Sequence, residues 1–280
     1  MLHGFLDRWS EAGVWVKISW FFGVWLGLWL PIAIPLARRW NWYPGKSLTP
    51  QKKLTLVGSL YFLFPVTISG AAAIENLSFS DYGWTWQLDS LKSLAIGVGL
   101  GVFGIAILAA VQRIFGWIRW EFKVPSIDAL PTVMSPLSVA GILALWVAGT
   151  EEFLFRGFVQ TQFQSQLSLG AAAAITSAIF AVLHLVWGWR ETLPEIPGLW
   201  LMGLILTLAR VVDDGNLSLA WGLHTGWVWA AIFLESTGAI VPIETAPAWL
   251  SGIDGRPLAG VLGLGLLMAT GGFLQLIIDT

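Results

Sequence analysis

The chain has 280 residues, 56% of them hydrophobic and only 11% charged, with a mean hydropathy of +0.73. Soluble domains carry about 25% charged residues, so this composition excludes an ordinary soluble globule and specifies a multi-span helical membrane protein. A formal net charge of −2 leaves no footprint for nucleic acid, and the absence of cysteine removes disulfides, iron–sulfur clusters, thiolate zinc sites and cysteine nucleophiles together.

The stretch Met1 to Gly13 carries Asp7, Arg8 and Glu11 and lacks the basic n-region and small-residue cleavage site of a signal peptide, so the first span reads as retained. That span is expected over Val14–Ala37, with Lys17 near its outer edge and a kink near Pro31, Pro35 following one turn later. Arg38, Arg39, Lys46, Lys52 and Lys53 then make the most basic loop of the chain, which belongs on the cytoplasmic side. A second span is expected over Leu54–Ala73, with Pro65 inside it. The loop holding Glu75, Asp81 and Asp89 falls on the opposite side.

The third span, Leu94–Val111, contains Gly97, Gly99, Gly101 and Gly104, small residues that permit close helix contact. Ile114 to Phe122 mixes aromatic and basic residues and predicts a short interfacial helix, in a loop that continues through Lys123 and Asp128. A fourth helix starts after Pro136 and runs toward Leu167. Its about 30 residues, roughly 45 Å of rise, exceed a perpendicular crossing, so it is tilted, kinked or partly outside the bilayer.

The fifth span, Leu169–Trp187, holds Ala171 to Ala174 and ends near His184. After a polar turn from Gly188 to Pro197, the sixth covers Gly198–Val212, with Arg210, Asp213 and Asp214 marking a membrane edge. The seventh, Leu217–Leu234, contains His224. A connection from Glu235 to Pro257 leads to the last span, Leu258–Ile278. The expectation is therefore an all-α polytopic membrane bundle of about eight transmembrane helices in a single domain, 1–280. Of the 19 tryptophans, Trp9, Trp15, Trp40, Trp42, Trp84, Trp86, Trp117 and Trp120 stand near the ends of apolar runs, where rings anchor at headgroup level.

Charges inside spans are expensive and need a reason. Glu152 and Arg156 are four apart on the fourth helix, share a face and can pair; Glu151, turned by about 100 degrees, faces elsewhere and lacks a partner in the local sequence. His184 and His224 are the two histidines that fall in predicted spans. A buried carboxylate with two imidazoles has the chemistry to activate water for attack on a carbonyl. The same trio, Glu151, His184 and His224, is a candidate zinc set, although no His-Glu-x-x-His signature occurs. The structural alternatives are an ion pair closing a helix interface and satisfied core histidines.

Glu151-Glu152-Phe-Leu-Phe-Arg156 followed by Gly157, then Phe180-Ala-Val-Leu-His184, then His224 resemble, in order and spacing, the three motifs of the CPBP family of intramembrane proteases. This family is also called the Abi or CAAX-protease family and includes the type II prenyl-protein endopeptidase. The resembling core covers residues 136–234. The third motif departs from the family pattern, since Val228 stands where an asparagine or aspartate is expected.

The resemblance implies an intramembrane endopeptidase acting on a membrane-associated or prenylated, CAAX-like substrate. It casts Glu151 as general base, His184 as the residue positioning water, and Glu152 with Arg156 as support. His224 would face the oxyanion and Phe180 would pack beside the site, with Thr225 and Val228 in the substrate pocket. No cofactor is expected, zinc being the alternative. The implied partners are membrane lipids and a membrane protein or lipidated peptide. A non-catalytic membrane scaffold or assembly factor that keeps the same core is the main competing reading, and a proton-relaying transporter is a third.

Overall fold

The computed structural model describes residue 9 and residues 11–121, 130–243 and 246–278. Asp7, Arg8, Lys123 and Asp128 lie outside the described residues. Among those described, seven segments are long and apolar enough to cross a membrane, and the chain is an integral, multi-pass, all-α bundle.

Helix α1 (Val14–Trp40) runs without interruption through Pro31 and Pro35 and ends on Asn41 in the left-handed conformation, whose N–H caps the last turn. The second span divides into α2 (Pro50–Phe62) and α3 (Phe64–Glu75), with the break at Leu63 just before Pro65. Proline has no N–H to return to Tyr61, so the carbonyls here need other donors. Trp25 on α1 supplies one, its indole donating to the Leu60 carbonyl at 3.0 Å. At the end of α3, Glu75 accepts from Tyr82 Oη at 2.9 Å and Gln162 Nε2 at 2.7 Å, with Lys17 Nζ 3.6 Å away.

Helix α4 (Leu88–Ile114) packs chiefly against α9 (Ser218–Ser236), and the contact is made by glycines on both sides. A methyl at Gly97 or Gly101 would stand 2.5–2.6 Å from carbonyls of α9, and one at Gly222 or Gly226 would stand 2.1–2.5 Å from those of Leu94 or Val98. The two backbones are in contact, so no side chain fits between them. The glycines flanking His224 thus admit a helix instead of opening room around the imidazole.

The expected interfacial helix at Ile114–Phe122 is not formed over its described residues. Helix α4 ends at Ile114, and Ile118–Trp120 is a strand, β1, paired antiparallel with β2 (Ile240–Pro242). Three-residue strands leave no periodicity to read, and this pairing joins segments far apart in the chain.

The fourth span is α5 (Leu130–Glu152), a widened π-helical turn (Phe153–Val159) and α6 (Gln160–Gln164). Helix α7 (Leu169–Leu183) follows, capped by the Ser168 hydroxyl and ending in a 3₁₀ turn at His184–Trp187. Its small-residue face receives α8 (Ile196–Val212): Trp200 donates to the Ala174 carbonyl at 3.1 Å, and a methyl on Gly203 would stand 2.5 Å from Ser177 Oγ. Helix α10 (Val261–Ile278) closes the bundle against α8. Helix α9 is long enough to span but is not one of the seven apolar segments. It carries His224 and three tryptophans, and it is buried among the others along most of its length.

Candidate active site

The site begins where α5 passes into the π-helical turn. Inserting an extra residue per turn shifts the hydrogen-bond ladder and leaves a carbonyl in need of a donor, and such turns recur at functional sites. Here the Arg156 carbonyl accepts from Arg210 Nη1 on α8, whose Nε also donates to the Gly215 carbonyl at 2.9 Å. Arg210 is half-buried and braces this turn, a different role from the membrane-edge charge its neighbours Asp213 and Asp214 suggest in sequence.

The intrahelical pair is formed: Arg156 Nη1 donates to Glu152 Oε1 at 3.0 Å, with both side chains fully buried. The guanidinium also lies over the Phe180 ring, 4.6 Å from its centroid. The same Glu152 oxygen is 2.7 Å from His224 Nδ1. A carboxylate paired with arginine accepts, so Nδ1 is the donor and Nε2 is left for chemistry.

Glu151 is not turned away from this cluster. Its Oε2 lies 3.7 Å from His224 Nε2, so both glutamates reach one imidazole. Its Oε1 accepts from Tyr61 Oη at 2.7 Å. Tyr61, on α2, has no motif spacing to the acids and was not legible as a site residue. It reaches Glu151 because α2 packs against α5.

His184 donates Nδ1–H to the Phe180 carbonyl one turn back, at 2.8 Å, which leaves Nε2 as its free nitrogen. Phe180 touches both histidine rings, with centroids 4.5 Å from His184 and 6.2 Å from His224. His184 and His224 line one cavity of about 290 Å³, together with Val228, Trp227, Leu199 and Met202. The cavity is near the lower end of the usual ligand-site range.

Thr225 points elsewhere, its hydroxyl donating to the Trp221 carbonyl at 2.8 Å. Asn216 is held at the start of α9, donating to Thr85 and Ser90 and accepting from the Ser218 N–H. Neither replaces the amide absent at Val228. Among the described residues, the buried indole N–H of the adjacent Trp227 has no partner, nor do Glu152 Oε2 and the Nε and Nη2 atoms of Arg156. Among the described residues, no three or more His, Asp or Glu side chains converge tightly enough to hold a metal ion.

Residues 132–230 match the family model described as type II CAAX prenyl endopeptidase Rce1-like. The matched segment contains every motif residue named above, from Glu151 to Val228. No curated protein and no solved structure matches the chain. The family match supports a CAAX-type protease acting within the membrane at the family level.

Proposed function

We propose that the chain hydrolyses a peptide bond of a membrane-associated or prenylated, CAAX-like substrate. The observation that carries this reading is a buried carboxylate–imidazole pair, Glu151 and His224, beside a cavity whose wall bears a second imidazole, His184. In this scheme Glu151 takes one proton from water, and His184 Nε2 accepts a hydrogen bond from the other O–H, which stays intact, and aligns the oxygen. The oxygen attacks the scissile carbonyl carbon. The C–N bond then breaks, and the proton held by Glu151 passes to the leaving amine.

Glu152, held by Arg156, fixes His224 through Nδ1. A protonated His224 presents Nε2–H to the developing oxyanion. Because Val228 donates nothing, the unpartnered indole N–H of Trp227 is the group on that turn suited to share the task. Oxyanion donors are each worth about 2.7–4 kcal/mol, so Trp227→Phe is expected to lower kcat with little change in KM.

A purely structural cluster has no need of a cavity; that His184 and His224 both line one favours a working site over the scaffold reading. The deciding experiment compares cleavage of a fluorogenic prenylated CAAX peptide by the reconstituted wild type, Glu151→Ala and His184→Ala. Turnover that survives in both variants, with folding intact, sinks the assignment. Chelator titration of an active preparation decides metal dependence, since stripping a catalytic zinc abolishes turnover.

A further inference from the structure

The cavity that holds His184 and His224 adjoins another. Ile105, Leu108, Ala231 and Pro257 line it and also line a second cavity of about 380 Å³, which reaches Trp117 and Ile118 at the β1–β2 ribbon. From His224 to Leu234, which stands on the wall of this chamber, α9 rises by roughly 15 Å. At roughly 3.3 Å per residue, that distance accommodates four to five residues of extended chain.

One polar side chain in the chamber is unexplained. Gln112, at the end of α4, is 8% exposed and lines the wall, yet its amide makes no hydrogen bond to any described residue. Its backbone carbonyl is already used by the Trp117 N–H at 2.9 Å. A largely buried amide with no protein partner is costly unless water or a ligand supplies one. A carboxamide offers N–H donors and a carbonyl acceptor, the complement of a peptide group, whereas an acyl or isoprenyl chain would leave both kinds unmet. The exposed carboxylate of Glu235 also lines the chamber and opposes a chain that ends there in a carboxylate.

We propose that this chamber receives the extended segment on the amino-terminal side of the scissile bond, and that Gln112 pairs with one of its peptide groups four to five residues away. The proposal rests on the protease reading and adds a peptide subsite to it. Main-chain pairing at this distance selects an extended, unfolded segment over a helix, whose own peptide groups are already bonded.

The test uses the full chain in proteoliposomes and synthetic peptides that share one prenylated scissile end and carry one to six residues on its amino side. In the wild type, kcat/KM is expected to climb up to about the fifth residue and then level, as the chamber length dictates. The ratio of kcat/KM for the five-residue peptide to that for the one-residue peptide is expected to fall about tenfold in Gln112→Ala, the loss of one buried hydrogen bond. Ala231→Trp, which places a bulky ring on the wall the two cavities share, gives a second variant with the same expectation.

Because the chain has no cysteine, Gln112→Cys provides a single thiol for a readout independent of turnover. The five-residue peptide is expected to slow its alkylation by a maleimide, and the one-residue peptide to leave it fast. Cleavage with the same length dependence in wild type and both variants overturns the subsite while the protease reading stands. So does equal labelling with and without the long peptide, or protection by a free isoprenoid alcohol alone. Length-dependent protection without cleavage of any peptide upholds the peptide site and overturns the protease reading.

Discussion

Among the described residues stand two buried acid clusters, each combining carboxylate, a tyrosine hydroxyl and a cation. Around Glu75 the partners are Tyr82, Gln162 and Lys17. Around Glu151 and Glu152 they are Tyr61, Arg156 and His224. Neither Glu75 nor its partners line the two cavities described above, whereas His224 does. The difference teaches that burial and pairing of a carboxylate do not by themselves mark chemistry. An imidazole shared between acid and cavity does, because it gives the buried charge access to a substrate atom.

The largest expected effect is on turnover. Replacing Glu151 or His184 by alanine should cost two to four orders of magnitude in kcat, the usual worth of a positioned acid or base. Glu75→Gln, assayed with the same peptide, should change kcat less than about threefold, as expected for a group that contacts no reacting atom. Equal losses in the two clusters would erase the distinction between them.

Stability comes next. Arg156→Ala strands a fully buried Glu152 and should lower unfolding free energy by about 3–5 kcal/mol, read by thermal unfolding in detergent. Glu75→Ala leaves a partly exposed Lys17 and loses hydrogen bonds, for about 1–3 kcal/mol. The double change Glu152→Gln with Arg156→Met should recover most of the lost stability and none of the turnover, which separates the fold's need for neutrality from the site's need for a held imidazole.

Between the backbones of α4 and α9, Gly222→Ala places a methyl 2.1 Å from the Leu94 carbonyl oxygen. Overpacking at such a contact costs about 1–3 kcal/mol and should also depress kcat, because His224 moves with α9. The smallest contrast is between the two tyrosines. Tyr61→Phe and Tyr82→Phe each delete one bond to a carboxylate and should cost similar stability, about 1.5–3 kcal/mol. Only Tyr61→Phe should slow cleavage, by about tenfold, which corresponds to about 1.4 kcal/mol of lost alignment at Glu151.

Much of the architecture was legible because span length and hydropathy are set by the bilayer, which acts on every segment alike. The Glu152–Arg156 pair was legible for a similar reason: helical spacing alone puts the two on one face. That Glu151 needs partners from other helices follows from its lack of a local one, and His224 is such a partner; that it shares this imidazole with Glu152 was not legible, because a 100-degree turn says where a Cβ points and not which helix comes to meet it. Its contact with His224 and Tyr61 joins segments far apart in the chain.

That Gly222 and Gly226 seat a neighbouring backbone was not legible, since nothing in their own sequence reveals Gly97 and Gly101 facing them. The β1–β2 ribbon was missed because three residues of strand are too few to show a period. Tryptophan position was an ambiguous guide. Trp86 and Trp120 are exposed as anchors should be, whereas Trp84 stacks on Phe153 and Trp221 inside the fold.

The glycine contact between α4 and α9 also dictates an order of assembly. Helix α9, which holds His224, is the long helix least suited to enter lipid unaided, because its polar ring and close-packed face are designed for protein surroundings. The ribosome releases α4 well over a hundred residues earlier, and α4 is apolar enough to insert on its own. It therefore stands in the bilayer as a groove already cut to shape when α9 emerges. In this sense α4 serves as a berth during biogenesis, and the helix that carries the chemistry is the one the membrane accepts only by invitation of another.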